Sequence, residues 1–150
     1  MSRIPPLSDE TATKIGCRCL CLRIQRASRV IGRHFDAAFR ELGLNNWQFS
    51  LLMKLNRPSP LTVTHLAEEL GMDRTTTTKN LKPLERRGLL TIRRDELDAR
   101  VKRVVLTSAG QALLTEAVQH WDAAQQTIEA SLRGSDLGSL HAALEAIAQS

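Results

Sequence analysis

The chain has 150 residues, 42% hydrophobic and 25% charged, with 21 lysines and arginines against 16 acids for a formal net charge of +5. This length suits one compact domain with a core of its own. No run of about 18 apolar residues is present to span a membrane, and the opening MSRIPPLSDE lacks the apolar centre of a secretory leader, so a cytoplasmic location is expected.

In chain order, the first feature is a CxCxC of Cys17, Cys19 and Cys21. On one continuous helix, Cys17 and Cys21 share a face at i and i+4 and Cys19 points away. A structural zinc site wants four ligands, and no histidine or fourth cysteine lies nearby in sequence, so no metal is expected. Inert small thiols in a reducing cytosol are the simpler reading. Leu20, Ile24, Ala27, Ile31, Phe35, Ala38 and Leu42 then recur at spacings of three and four, a helical stripe, while Arg26, Arg29 and Arg33 mark another face.

The stretch from Leu61 to Gly110 reads as two short helices, a tight turn and a charged hairpin. Thr62 or Thr64 can cap the first helix, whose Leu66, Ala67 and Leu70 share a face. Gly71 supplies the left-handed residue that closes it, and Asp73 stands at the N-cap of the next, expected from Arg74 to Arg87. Thr75, Thr76, Thr77 and Thr78 are a poor choice for helix propensity, and with Lys79, Asn80 and Lys82 they make an outer face suited to contact. Hydroxyls, amides and ammonium groups bond phosphates and base edges, and threonine methyls pack on thymine methyls. Leu81 and Leu84 give the inner face. Pro83 lacks an amide and crowds the Lys79 carbonyl, costing ~3 kcal/mol in a regular helix, so a kink is expected near Lys79 to Lys82.

After Gly88, the strands Leu89–Asp95 and Val101–Leu106 pair across a turn rich in Asp and Arg. Arg93, Arg94, Arg100, Lys102 and Arg103 suit phosphate or minor-groove contact beside the second helix. From Met72 to Arg103 there are 10 basic and 5 acidic residues, and the rest of the chain holds 11 of each. The whole formal excess therefore sits in this helix-turn-helix and hairpin, the layout of a DNA reader.

Leu114, Ala117, Trp121, Ala124, Ile128 and Leu132 form a further helical stripe, and after Gly134 a shorter one comprises Leu137, Leu140, Leu144 and Ile147. These terminal stripes carry more apolar surface than a lobe the size of the reader covers, and pairing with a second copy is the simplest remedy. A twofold dimer would hold two recognition helices about one DNA turn apart, ~34 Å, over a pseudo-palindrome. Charge agrees, since Thr107 to Ser150 holds one basic and five acidic residues whereas Lys14 to Arg40 holds seven basic and one acidic.

The fold expected is mainly α with a small β wing, a winged helix-turn-helix with N- and C-terminal dimerisation helices. Residues 1–150 form one domain, with 45–111 as the DNA-binding lobe and 10–44 and 112–150 as dimerisation helices. An enzyme is disfavoured. The chain has no glycine-rich phosphate loop, HExxH or nucleophile elbow, and His34, His65, His120 and His141 are scattered, so neither catalytic residues nor a cofactor are expected. A winged helix serving protein interaction or enzyme dimerisation remains the alternative of another class, with less reason to concentrate the net charge on its second helix and wing.

The runs LAEELGMDRTTTTKNLKPLERRGLL and RRDELDARVKRVVLTSAGQALL resemble the multiple-antibiotic-resistance regulator (MarR) family of bacterial transcription factors. The LAEEL helix, LERRGLL, Asp98 and Arg100 in the wing, and LTSAG carry the match, WQFSLLMKL fits upstream, and the likeness is close from about Gly43 to Ala117. The resemblance implies a homodimeric regulator, most often a repressor, binding double-stranded DNA. Arg74, Thr75, Thr76, Thr78, Lys79 and Lys82 would serve the groove, and Arg93, Arg94, Asp98, Arg100, Lys102 and Arg103 the wing. Two residues apart in a hairpin, Asp98 can brace the turn while Arg100 reaches outward; in the family the acid orients wing arginines toward DNA.

The resemblance also implies release by a small aromatic or anionic effector, with Arg29, His34, Phe35, Phe39, Trp47 and Phe49 as candidates to line its pocket. As an alternative, Cys21 falls where organic hydroperoxide resistance regulators, a branch similar to this chain, have a reactive cysteine, with Cys17 and Cys19 beside it. The tyrosines expected near that thiol are missing: the chain has none, and the matching positions are Gln25 and Phe35.

Overall fold

The computed structural model describes residues 6–149; residues 1–5, the start of the MSRIPPLSDE segment, lie outside the described residues, as does residue 150. The chain divides into two compact units, Met1–His34 and Phe35–Ser150. In the first, Ser8 caps helix α1 (Asp9–Arg18) by accepting the Thr11 amide at 3.2 Å, and α2 (Leu20–Ala38) begins, its last residues from Phe35 being counted with the second; neither helix contains a buried residue.

The break at Cys19 corrects the expectation of one helix through the CxCxC. Cys19 is extended at ψ 104° and ends α1, its amide still bonded to the Ile15 carbonyl. Its Sγ accepts the Leu22 amide at 3.4 Å, and the Arg23 guanidinium donates to the Cys17 carbonyl at 2.7 and 3.2 Å. These bonds satisfy backbone groups that the interruption would orphan. Cys17 therefore belongs to the end of α1 and Cys21 to the start of α2, and the i, i+4 relation of a continuous helix does not hold. Among the described residues no three His, Cys, Asp or Glu are grouped to hold a metal ion, and no helix is long and apolar enough to cross a membrane.

In the second unit a 3-10 turn (Arg40–Leu42) leads to α3 (Asn46–Leu55), entered through a reciprocal capping box of Asn45 and Gln48 at 2.8 and 3.1 Å. Strand β1 (Leu61–Thr62) runs into α4 (Val63–Glu69), which Thr62, not Thr64, caps by accepting the His65 amide at 3.0 Å. Gly71, at φ 60°, makes the turn that a side chain would strain, and Asp73 caps α5 (Arg74–Arg86), which runs unbroken through Pro83. Strands β2 (Leu90–Arg94) and β3 (Lys102–Leu106) form the hairpin, and α6 (Ser108–Ser131) and α7 (Leu137–Ala148) complete the chain.

The sheet order is β1-β3-β2, antiparallel throughout, with buried Val104 opposite both Leu61 and Ile92. Leu51 and Leu52 of α3, Leu66 of α4, Leu81 and Leu84 of α5 and Leu90 of β2 are fully buried in one core. Leu114 and Ala117 of α6 join it, so the first half of α6 serves the same core as the helix-turn-helix.

Candidate nucleic-acid interface

The start of α5 is held by Asp73. Its carboxylate accepts the Thr76 amide at 2.8 Å and the Thr76 hydroxyl at 2.6 Å. The Thr76 hydroxyl first, and then the amide, hold the Asp73 carboxyl below the usual carboxylate range. The four threonines do not form one outer face. Thr77 is fully buried, its hydroxyl donating to the Asp73 carbonyl at 3.0 Å, because the helical period turns it inward with Leu81 and Leu84. Thr78 donates to the Arg74 carbonyl at 2.8 Å. Thr75 is exposed, and its hydroxyl makes no hydrogen bond among the described residues. Arg74, Lys79 and Lys82 are exposed along the same helix.

In the hairpin, Arg94 stands opposite Lys102 and Arg93 opposite Arg103. Asp98 braces the turn as expected, accepting the Arg100 amide at 2.9 Å and leaving the Arg100 side chain exposed. The acid that grips an arginine is Asp95, whose carboxylate pairs with Arg103 and accepts the Leu97 and Asp98 amides at 2.9 and 3.1 Å. Arg103 above all, then those amides, hold the Asp95 carboxyl below the ordinary range. Glu85 joins α5 to the wing by accepting the Ile92 amide at 3.1 Å.

Between α5 and the hairpin runs a groove of about 340 Å³ floored by Val63, Leu81 and Ile92. Arg74, Thr78, Lys82, Glu85, Arg93, Arg94 and Lys102 line it. Five cations against one acid make it attractive to a polyanion whose charges are regularly spaced, as in a nucleic-acid backbone. Supports that sequence reasoning missed include Arg87, which donates to the Gly43 and Leu42 carbonyls at 2.7 and 2.9 Å and anchors the end of α5. The signal for Asp95 was its place two residues after Arg93 on the same hairpin face; for Arg87 there was none, since its partners lie over 40 residues away.

The aromatic candidates separate. Phe39 and Phe49 are 1% and 8% exposed, stacked with ring centroids 4.6 Å apart inside the core. They fill space that a leucine-rich core needs filled, so neither is an open pocket wall. Phe35, half-buried, stacks on Phe39 at 6.0 Å, while Trp47 is 46% exposed. Arg29, exposed, and His34, half-buried, belong to the first unit. There, Cys17 and Cys21 are exposed, Cys19 is half-buried, and the Gln25 amide donates to Cys21 Sγ at 3.3 Å.

A family model described as MarR family matches residues 42–101, the span from the 3-10 turn to the wing. The chain is 32% identical over 99 residues, 66% of its length and 67% of the relative's, to the organic hydroperoxide resistance transcriptional regulator of Bacillus subtilis (strain 168). It is similar in structure to the M. tuberculosis transcriptional regulator MosR in complex with DNA, with TM-score 0.79 and 35% identity over 88% of this chain and 95% of that one. The transcriptional repressor CouR, of Rhodococcus jostii RHA1, bound to a 23-mer DNA duplex, gives TM-score 0.79 and 26% identity over 96% and 99%.

Proposed function

The chain belongs to the MarR family of DNA-binding transcription regulators, and from that premise we propose that it works as a homodimeric repressor, reading a pseudo-palindromic operator and leaving it when a small aromatic or anionic effector binds. The observation that carries the DNA-reading part is the convergence of Arg74, Lys82, Arg93, Arg94 and Lys102 on one groove between α5 and the hairpin. In this reading Arg74, Thr75, Thr76, Thr78 and Lys79 meet the major groove. Lys82, Arg93, Arg94 and Lys102 meet phosphates, and Arg100, set by the Asp98 turn, reaches the minor groove. That CouR is a repressor held on DNA supports repression over activation.

The dimer has its support in faces the chain leaves uncovered. Helices α1, α2 and α7 contain no buried residue, and Leu140, Leu144 and Ile147 on α7 are 40–48% exposed. Segments 10–44 and 112–150 would frame the lobe 45–111 in the pair. In such a pair, basic Lys14 to Arg40 of one copy would be drawn to acidic Thr107 to Ser150 of the other. For the effector, Phe35 and Trp47 remain the aromatic candidates outside the core. The thiol switch is not favoured, since the chain contains no tyrosine to flank Cys21.

The test is a fluorescence-anisotropy titration on DNA from upstream of the protein's own reading frame, against a scrambled duplex, at ~150 mM salt. A preference of about a thousandfold at one dimer per site is the expected result. Equal, weak binding to these and to any duplex enriched from a random pool would contradict a sequence-specific regulator.

A further inference from the structure

Arg103 stands in the middle of the sheet, in a rung that runs Thr62, Arg103, Arg93. Two guanidinium side chains directly opposite each other repel. Asp95, two residues beyond Arg93 and so on the same face, supplies the compensating charge. Its carboxylate is 11% exposed, pairs with Arg103 through Nε, and accepts the Leu97 and Asp98 amides at the turn. On its other side Arg103 donates from Nη1 to the Pro60 carbonyl at 3.2 Å. One side chain thus ties the hairpin turn to the segment that enters β1 and α4.

We propose that Arg103 is a positioning residue of the wing and not a DNA contact: with Asp95 it forms a clamp between the turn and Pro60 that sets where Arg93, Arg94 and Lys102 meet DNA. The proposal rests on the DNA-reading function above and revises the expectation that grouped Arg103 with the contacts. A guanidinium suits the task because its planar fork supplies two donors in fixed directions, one to a carboxylate and one to a carbonyl. An ammonium has three donors, but they radiate from one nitrogen on a flexible stem and lack the fixed fork that fits both positions.

The clamp is tested with Asp95→Asn, Arg103→Gln, Arg103→Lys and the double variant Asp95→Asn/Arg103→Gln. Each is titrated on the duplex that the unmodified protein enriches from a random pool, and amide exchange at Leu97 and Asp98 is followed without DNA. Asp95→Asn and Arg103→Gln are each expected to weaken binding about tenfold, and the double variant no further, where independent losses would multiply to about a hundredfold. Lysine is not expected to rescue, and exchange at Leu97 and Asp98 should quicken in both single variants. Unchanged or tighter binding by Asp95→Asn, or rescue by Arg103→Lys, would overturn the proposal, since both mark Arg103 as a charge contact to phosphate. If the unmodified protein enriches no sequence, the regulator reading fails with it, while unchanged exchange in the variants refutes the clamp alone.

Discussion

Thr75 and Thr76 are neighbours on α5 with different freedom. Thr76 spends its amide and hydroxyl on the Asp73 cap, whereas the exposed Thr75 hydroxyl stays available to a partner. Thr75→Ala is expected to relax base preference at one operator position, with ~1–3 kcal/mol at stake, and to leave the melting temperature unchanged. Thr76→Ala should lower the melting temperature as well; selection on randomised duplexes beside thermal melts separates the two. Arg94, exposed on the groove, is a phosphate contact in this account. Arg94→Ala should weaken all duplexes alike and reduce the slope of log affinity against log salt by about one. A wild-type slope would remove Arg94 from the interface. Among the described residues, four carboxyls are held below their ordinary range: Glu69 by Arg57, Asp73 by Thr76, Asp95 by Arg103 and Asp136 by Ser139. Depressed folded-state values add stability that is fully present above the unfolded value, about 4, and lost as pH falls through the folded one. Melting temperature is therefore expected to drop below about pH 4, and more shallowly in Asp95→Asn; an equally steep drop would show that the Asp95 interaction adds nothing.

At the scale of elements, the wing and α6 are joined where backbone meets backbone. Thr107 donates its amide to the Leu89 carbonyl at 3.1 Å and its hydroxyl to the Gly88 carbonyl at 2.7 Å, then caps α6 by accepting the Gly110 amide. A Cβ on Gly110 would overlap the Leu89 carbonyl oxygen and crowd Leu106. Gly110→Ala is thus expected to destabilise the fold by ~1–3 kcal/mol or more, read as a lower denaturant midpoint; an unchanged midpoint would show that α6 shifts freely. The helix-turn-helix and hairpin were legible in sequence because their signals are local: the Thr62 and Asp73 caps, Gly71, and alternation toward Asp95. Part of what was illegible depends on distant partners. Strand β1 has two residues and exists through β3. The break at Cys19 is held by Arg23 reaching back to Cys17, against the uninterrupted apolar period of the stripe. Thr77 was misread because a run of four identical residues hides the helical period that buries one of them. Likewise Phe39 and Phe49 offered aromatic character to sequence reading, while only the stacked core reveals that they are enclosed.

The chain combines a cationic reader with terminal helices that carry exposed apolar residues. Leu20, Leu22, Val30 and Ile31 in the first unit, and Trp121, Leu140, Leu144 and Ile147 in the second, are all at least 36% exposed. Such surface is more than scattered exposure requires and is the kind a second copy covers. With a net charge of +5 over Met72–Arg103, each copy would bring one basic reading face to the proposed dimer, and twofold symmetry would present two to the same duplex. The measurement that bears most directly on this account is a hydroxyl-radical footprint on the duplex enriched from a random pool. The account predicts two protected patches related by a dyad, with centres about one helical turn, ~34 Å, apart. A single unsymmetrical patch, or uniform protection along the duplex, would contradict a dimeric, sequence-specific reader.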